Sequence, residues 1–377
     1  MTDAQNWNIF VVDDDKEICD QIKQFLESQD GDLKFTVKTS QQFAETLTEI
    51  KNRVYDLLIL DVLLGPKDGK ALEQAGIDAL NEIKKNRFIP VIFYTARPTA
   101  VADSTPPVWV VQKDKGLEEL LNTIKIAINT KLPLINRALL HHVERIQRDY
   151  LWGFVTQNWK DLGENDDKIT LAYFLARRLS ISLSGSGITE MAQELGDDGK
   201  GLFTTDPVHP LRYYVIPPVD QFPSSGDIYY KTADKSFWVL LTPVCDLVSH
   251  KGKPPKAEKV ILSECLRLKS QIEYQEWNGN KDDKGKKANL SKLISNDRVV
   301  QPERFFYLPA VLNIPDLVVD FQRLLSIRFD DLKNLDHIAS LDSPYAEALL
   351  SRFTRYYGRI GTPDLNVDIV MGTFNNP

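Results

Sequence analysis

Cysteine is scarce in this chain. The three cysteines in 377 residues, Cys19, Cys245 and Cys265, are scattered and form no CxxC pair. That excludes a disulfide scaffold and a zinc framework, and it fits a reducing cytoplasm. Long apolar runs are missing too, so no segment is expected to span a membrane. The opening MTDAQNWN has no basic region followed by an apolar stretch, so no secretory signal is expected. A basic excess is also absent. The net charge is −7, with fifteen basic and twenty-one acidic side chains in residues 1–130, nine and ten in 131–200, and twenty-two of each in 201–377. A dedicated nucleic-acid binder would be strongly basic. Here the acidity sits in the first module. No Gly-rich nucleotide-binding motif occurs, so the chain is not itself a kinase, and no internal repeat is found.

What is present is an alternation. NIFVVDD, YDLLILDV, FIPVIFYT and PVWVVQK contain short continuous apolar runs, as expected of strands buried on both faces. FTVKTS adds a further short strand. Between them, KEICDQIKQFLESQ sets Ile18, Ile22, Phe25 and Leu26 on one helical face, and AGIDALNEIKKN and GLEELLNTIKIAI behave alike. Strands alternating with helices predict an α/β parallel sheet with right-handed crossovers over residues 1–130. Its functional groups should collect at the carboxyl ends of the strands.

From Leu134 to about Trp159 the pattern turns helical. Leu132, Ile135, Leu139, Val143, Ile146 and Tyr150 recur at spacings of three and four, close to a short heptad seam. DLGENDD ends this stretch at Gly163, and ITLAYFLARRLSISL supplies a second helix before SGSG. Residues 131–200 are read as a helical connector, either packed on its own chain or forming the hairpin of a homodimer. After about Leu202, LRYYVIPP, GDIYYKT, FWVLLTPV and KVILSEC are strand-like runs separated by Pro, Gly and Ser, and ERFFYLPA and LVVDFQRLLSIRF come after them. WNGNKDDKGKKANLSK reads as a polar, Lys-rich loop or flexible tip. A closing helix has Asp342 or Ser343 as N-cap, Pro344 in its first turn and Gly358 past its end. Residues 201–377 are expected to form a β-rich α+β output domain.

The stretch NIFVVDDDKE raises a question of charge. Asp13, Asp14 and Asp15 stand directly behind an apolar strand, where like charges repel and carboxylates lose hydration. A solvated turn is one answer and a divalent cation another. Asp61 ends YDLLILD, Thr95 ends VIFYT and Lys113 ends VWVVQK, and a parallel sheet brings these ends to one edge. Asp13, Asp14 and Asp61, with a backbone carbonyl just beyond Asp61, would make an oxygen-rich site suited to Mg2+. Such an ion would relieve the repulsion and neutralise an incoming phosphoryl group. Asp61 would be the nucleophile, Lys113 a second positive charge, and the Thr95 hydroxyl a hydrogen-bond donor.

VVDDD, LLILDVLLGPKDG, FYTAR and VVQKD, in this order and each closing a strand, resemble the receiver domain of two-component response regulators. The resemblance covers the first 130 residues. It implies a doubly wound, flavodoxin-like fold, magnesium held by Asp13 and Asp14, and phosphorylation of Asp61 by a histidine kinase. It also implies that Thr95 and Lys113 sense the phosphoryl group. The chain departs from the family's pattern at several positions. Gly65, followed by Pro66, stands where a proline is usual after the phosphorylated aspartate, although Asp68 and Gly69 fall in register. The segment after KDG is long. ARPTAVADSTPPVW is short and Pro-rich, so a truncated or missing fourth helix is expected. Val110, beside Trp109, holds the place of the family's switch aromatic, and Asp114 that of a proline after the lysine. These changes fall on the face most receivers use to dimerise. Acceptance of a phosphoryl group is therefore better supported than the usual switching.

Other candidates stand outside this pattern. His141 and His142, in LLHHVERIQRDY, are read as a solvated helix face rather than a phosphorelay pair. Cys245, Asp246 and His250 stand close together in LLTPVCDLVSH. A Cys–His nucleophile is one reading; a half-buried Cys245 with Asp246 capping a turn is the other. GDIYY and FWVLLTPVCDL faintly resemble the small barrels of MazF/PemK-like toxins, but the intervening KTADKS has no arginine, so no ribonuclease site carries over. LLSRFTRYYGRIG interleaves Arg352, Arg355 and Arg359 with Phe353, Tyr356 and Tyr357. Such a segment could hold phosphates and stack bases, or be an amphipathic helix with its arginines toward water. No complete catalytic set is found in residues 201–377. The expectation is a cytoplasmic, response-regulator-like protein, phosphorylated on Asp61, that passes its state to a C-terminal interaction module. A receiver-controlled nucleic-acid-binding or nuclease effector is the alternative.

Overall fold

The computed structural model describes residues 5–62, 75–101, 104–162, 168–183, 186–194, 207–219, 222–248, 254–359 and 365–374. The chain divides into two compact units, Met1–Asp206 and Pro207–Pro377. In the first, five parallel strands are β1 (Gln5–Val12), β2 (Leu33–Ser40), β3 (Leu57–Leu60), β4 (Val91–Thr95) and β5 (Val108–Gln112). They lie in the order β2-β1-β3-β4-β5, so β3 is central. The intervening helices are α1 (Lys16–Glu27), α2 (Phe43–Asn52) and α3 (Ala75–Asn86), with α4 (Gly116–Asn129) after β5.

The unbroken apolar runs have a simple cause. Alternate residues of each strand enter opposite cores. Val11, Ile59 and Ile92 meet Ile22 of α1 and Ile124 of α4 on one face, while Val12, Leu60 and Phe93 meet Ile83 of α3 on the other. The strand order reverses between β1 and β3, which opens a crevice at their carboxyl ends. As the proline-rich sequence predicts, among the described residues only a short 3-10 turn, Pro98–Ala100, stands in the segment before β5. The helix α2 is not anticipated from the sequence. Leu47 and Ile50 are among the residues it packs inward.

A further helix, α5 (Leu132–Arg148), continues into a π-helical stretch, Asp149–Val155. Leu134, Ala138 and His142 form its buried face, whereas Ile135 and Leu139 of the heptad stripe are 46% and 41% exposed. Arg137 fixes this rotation. Its guanidinium pairs with Asp56 at 2.6 and 2.8 Å and lies 4.6 Å over the Trp7 ring. The solvated reading of the histidines therefore holds for His141 and fails for His142, which shares the inward face. Its Nε2 stands 3.1 Å from Ser182 Oγ and its Nδ1 3.1 Å from Arg145. The helix Lys168–Ser182 matches the second helix of the sequence, and Ser186–Glu194 comes after it.

The second unit is built on seven antiparallel strands: β6 (Tyr214–Val215), β7 (Asp227–Lys231), β8 (Ser236–Leu240), β9 (Lys259–Arg267), β10 (Phe305–Leu308), β11 (Leu317–Arg328) and β12 (Asp336–Leu341). Their order is β10-β11-β9-β8-β7-β12-β6. The helix Tyr345–Tyr357 covers one face, where Leu349 and Tyr356 meet Val239 and Phe321. Leu247 and Leu262 pack on the other.

Three local expectations change. The Lys-rich segment is not a loop but two helices, Ile272–Gly279 and Lys284–Ile294. Asp283 caps the latter by accepting from Gly285 N and Lys286 N, and Leu290 and Leu293 bury its inner side. LRYYVIPP contributes only the two-residue β6 after a 3-10 turn. The closing helix lacks the side-chain cap expected of Asp342 or Ser343; the Asp342 carbonyl accepts from Tyr345 N at 2.8 Å instead, and Gly358 ends the helix. Among the described residues no helix is long and apolar enough to cross a membrane.

Candidate functional site

Asp13 follows β1 and Asp61 follows β3. These strands are adjacent and parallel, with Val12 opposite Leu60, so the two acids emerge side by side. Carboxylate oxygens of Asp13, Asp14 and Asp61 all lie within 4.8 Å of one another. Asp13 and Asp61 are 2% and 5% exposed, and Asp14 is exposed. Lys113, just past β5, reaches back over the sheet edge. Its Nζ stands 2.6 Å from Asp13 Oδ2 and 2.7 Å from Asp61 Oδ2. Thr95 closes β4 and is fully buried, with its Oγ1 accepting from Arg97 N at 3.2 Å. The five residues marked in the sequence thus all lie at the carboxyl edge of one sheet.

The third acid of the DDD run has a different task. Asp15 is the N-cap of α1, accepting from Glu17 N at 2.9 Å, and its own amide donates to Asp13 Oδ1 at 3.0 Å. Gly76 carries no motif in the sequence, yet it matters here. It donates from its amide to Val62 O at 3.1 Å, and a Cβ at this position would collide with the Asp61 carbonyl. Its only trace in the sequence is an Ala-Gly pair opening a helix. The carbonyls beyond Val62, and Gly65, Pro66, Asp68 and Gly69, lie outside the described residues.

Among the described residues the site is short of positive charge. Burial pushes the Asp13 carboxyl above its ordinary pKa, and the hydrogen bond and charge of Lys113 oppose this without cancelling it. Burial alone would lower Lys113, but its hydrogen bonds to Asp13 and Asp61 outweigh that and hold its pKa above the usual lysine value. Among the described residues, three carboxylates and one ammonium leave two negative charges over, which a dication would neutralise. Clustered hard oxygen donors are what Mg2+ prefers, so the residues present fit it.

At the position of the family's switch aromatic, Val110 packs on one core, and Trp109 packs on the other. In the second unit, Cys245 is exposed rather than half-buried, because the short helix Val244–Leu247 turns Leu247 inward instead. Its Sγ lies 3.8 Å from Asp246 Oδ1, and His250 is outside the described residues. Arg355 and Arg359 are exposed, as expected of an amphipathic helix with its arginines toward water, whereas Arg352 departs from both readings. Its guanidinium donates to the carbonyls of Asn296, Phe305 and Pro302 at 2.5, 3.0 and 3.3 Å, so it faces neither water nor a ligand. Arg355 pairs with Glu303 at 3.3 Å, and Arg359 stacks 4.1 Å over Tyr356.

Comparison with known proteins agrees with this geometry. The family model for the response regulator receiver domain matches residues 9–105. Regulatory protein VanRc of Enterococcus gallinarum is 35% identical over 89 residues, which is 24% of this chain and 34% of that protein. The chain therefore spans about a third of the length of this relative. Among solved structures, the receiver domain of the Francisella response regulator 1452 is 26% identical, covering 33% of this chain and 99% of that one, with a TM-score of 0.26. The response regulator protein TrrA from Thermotoga maritima, in complex with Mg(2+)-BeF, is 27% identical, covering 32% and 98%, with a TM-score of 0.27. By its family match, its sheet order and the acids at its carboxyl edge, the N-terminal part of this chain is a response regulator receiver domain.

Proposed function

We propose that this is a signalling protein whose receiver takes a phosphoryl group on Asp61 from a histidine kinase. In this reading the receiver extends to about residue 130, residues 131–200 connect, and residues 201–377 form an output domain that acts as an interaction module. The observation that carries it is the convergence of Asp13, Asp14 and Asp61 within 4.8 Å, with Lys113 between two of them.

An Asp61 oxygen attacks the phosphorus of a phosphohistidine. The O–P bond forms as the P–N bond breaks, and the imidazole departs with the electron pair. Asp13, Asp14 and Asp61 would hold Mg2+, which when bound neutralises phosphoryl charge. Lys113 keeps an ammonium beside Asp61 and offers it to the phosphoryl oxygens once that carboxylate is esterified. Thr95 Oγ1 already accepts the Arg97 amide, so its proton is left to donate to the same group. The added charge then alters the receiver's contact with the connector or the output domain.

For the output domain, an interaction module is preferred to a nucleic-acid binder because Arg352 is committed to three carbonyls and the acids and bases of residues 201–377 balance. Incubation with Mg2+ and acetyl phosphate, read by intact mass, tests the receiver. A phosphoryl adduct on the wild type and none on Asp61→Asn is expected. Tight RNA or DNA binding with a steep salt dependence would count against the module.

A further inference from the structure

The second unit contains a cavity of about 470 Å³. Small-molecule sites usually fall in the range ~300–1,000 Å³. Four neighbouring strands build it: Arg267 from β9, Phe237 from β8, Tyr230 from β7 and Ile338 from β12. Val311 and Ile314 close one side as a tight turn, bonded to each other at 2.9 and 2.8 Å. That turn holds Leu312 on the lip, 78% exposed and with a left-handed φ of 51°. A leucine placed outward in a disfavoured conformation is a feature expected where something covers it.

The walls are mainly apolar, with Tyr230 and Asn313 beside them, and among the described residues Arg267 is the cation that lines the cavity. Arg298, Arg304 and Arg323 of the same unit each have a carboxylate within ion-pair distance. Arg267 has none among the described residues; its guanidinium lies 5.4 Å over the Phe237 ring. This contact with the ring leaves the charge of the exposed Arg267 unneutralised.

We propose that this cavity binds a small organic carboxylate with an apolar body. Arg267 supplies the charge and a planar fork that matches a carboxylate in bidentate fashion. Val311, Ile314, Ile338 and Phe237 take a ring or branched chain out of water. Tyr230, Phe237, Arg267 and Ile338 stand on strands, so that wall of the site is held ready by the sheet. The inference is independent of the acid cluster and gives the output domain a chemical input of its own.

Calorimetric titration of the full chain with naphthoate and with its neutral analogue naphthamide tests this. Saturable one-to-one binding of naphthoate is expected, with naphthamide weaker by about tenfold to a hundredfold, the value of a charge-assisted hydrogen bond. Arg267→Met should abolish the preference, and Ile338→Trp, which fills the cavity, should abolish binding with thermal unfolding unchanged. If Arg267→Met does not fold, the comparison of the two probes on the wild type decides. No saturable binding, equal affinity for the two probes, or naphthoate affinity undiminished in Arg267→Met would overturn the proposal.

Discussion

Replacing Arg137 by methionine should destabilise the first unit by about 3 kcal/mol, for reasons visible around Asp56. That aspartate precedes β3 and is 3% exposed. Two hydrogen bonds hold its carboxylate, from Asn8 N at 2.7 Å and Arg137 Nε at 2.8 Å, and Arg137 Nη2 stands within ion-pair distance at 2.6 Å. Methionine leaves a buried charge facing one amide. Removing one partner from a buried pair costs ~3–5 kcal/mol. The lower end applies, because the Arg137 side chain keeps 17% exposure and the Asn8 bond survives. Loss of the cation–π contact on Trp7 adds ~0.5–1 kcal/mol, which methionine packing on the same ring partly offsets. For a unit of this size the midpoint should fall by about 6–12 °C. Thermal and urea unfolding followed by circular dichroism measure it. Asp56→Asn in the Arg137→Met background should recover at least half the loss, because it removes the stranded charge. A cost below about 1 kcal/mol, the value of an exposed pair, would refute the reasoning, as would simple additivity of the two changes. Asp56 and Asp61 flank β3, so the pair ties α5 to the strand whose other end leads into the acid cluster.

Other outcomes rest on burial and charge. Asp13→Asn should stabilise the first unit in metal-free buffer near neutral pH and have no such effect in acid. Burial raises the folded carboxyl above its unfolded value, so the folded state binds that proton more tightly; stability falls as pH rises through the folded value, and asparagine removes the loss. Urea midpoints at the two pH values check this, and a destabilised variant near neutrality would contradict it. Added Mg2+ should raise the melting temperature of the wild type and do so far less in Asp13→Asn; equal shifts would argue against Asp13 as a ligand. Of the three thiols, Cys245 alone should react with a disulfide reagent in the folded protein. Cys19 and Cys265 are buried, and burial raises both, Cys19 to about 11. Labelling of all three before unfolding would contradict the fold.

The receiver was readable because its strands are buried on both faces. That produces runs such as Leu57–Leu60 without alternation, each followed by a chemically distinct residue. Asp13, Asp61, Thr95 and Lys113 could be placed by knowing only that parallel strands share an edge. The features that stayed hidden depended on rotation or on distant backbone. His142 looks like His141 until Arg137 sets which side of α5 faces inward. Arg352 looks like a surface arginine until the carbonyls of Asn296, Pro302 and Phe305 are brought beneath it by β10 and the loop before it. The Lys-rich segment misled through composition: Asp283 with Leu290 and Leu293 specifies a helix that the lysines mask. Asp15 and Gly76 are local devices, a cap and a close approach, whose purpose shows only once Asp13 and Asp61 are in place.

The central claim is chemical and can be read at one residue. An acyl phosphate on aspartate is reduced by borohydride to homoserine. Protein treated with Mg2+ and acetyl phosphate, or with a phosphorylated histidine kinase, should yield a peptide with homoserine at position 61 after reduction and mapping, and none without Mg2+. Homoserine at another aspartate, or its absence under all these conditions, would contradict the assignment.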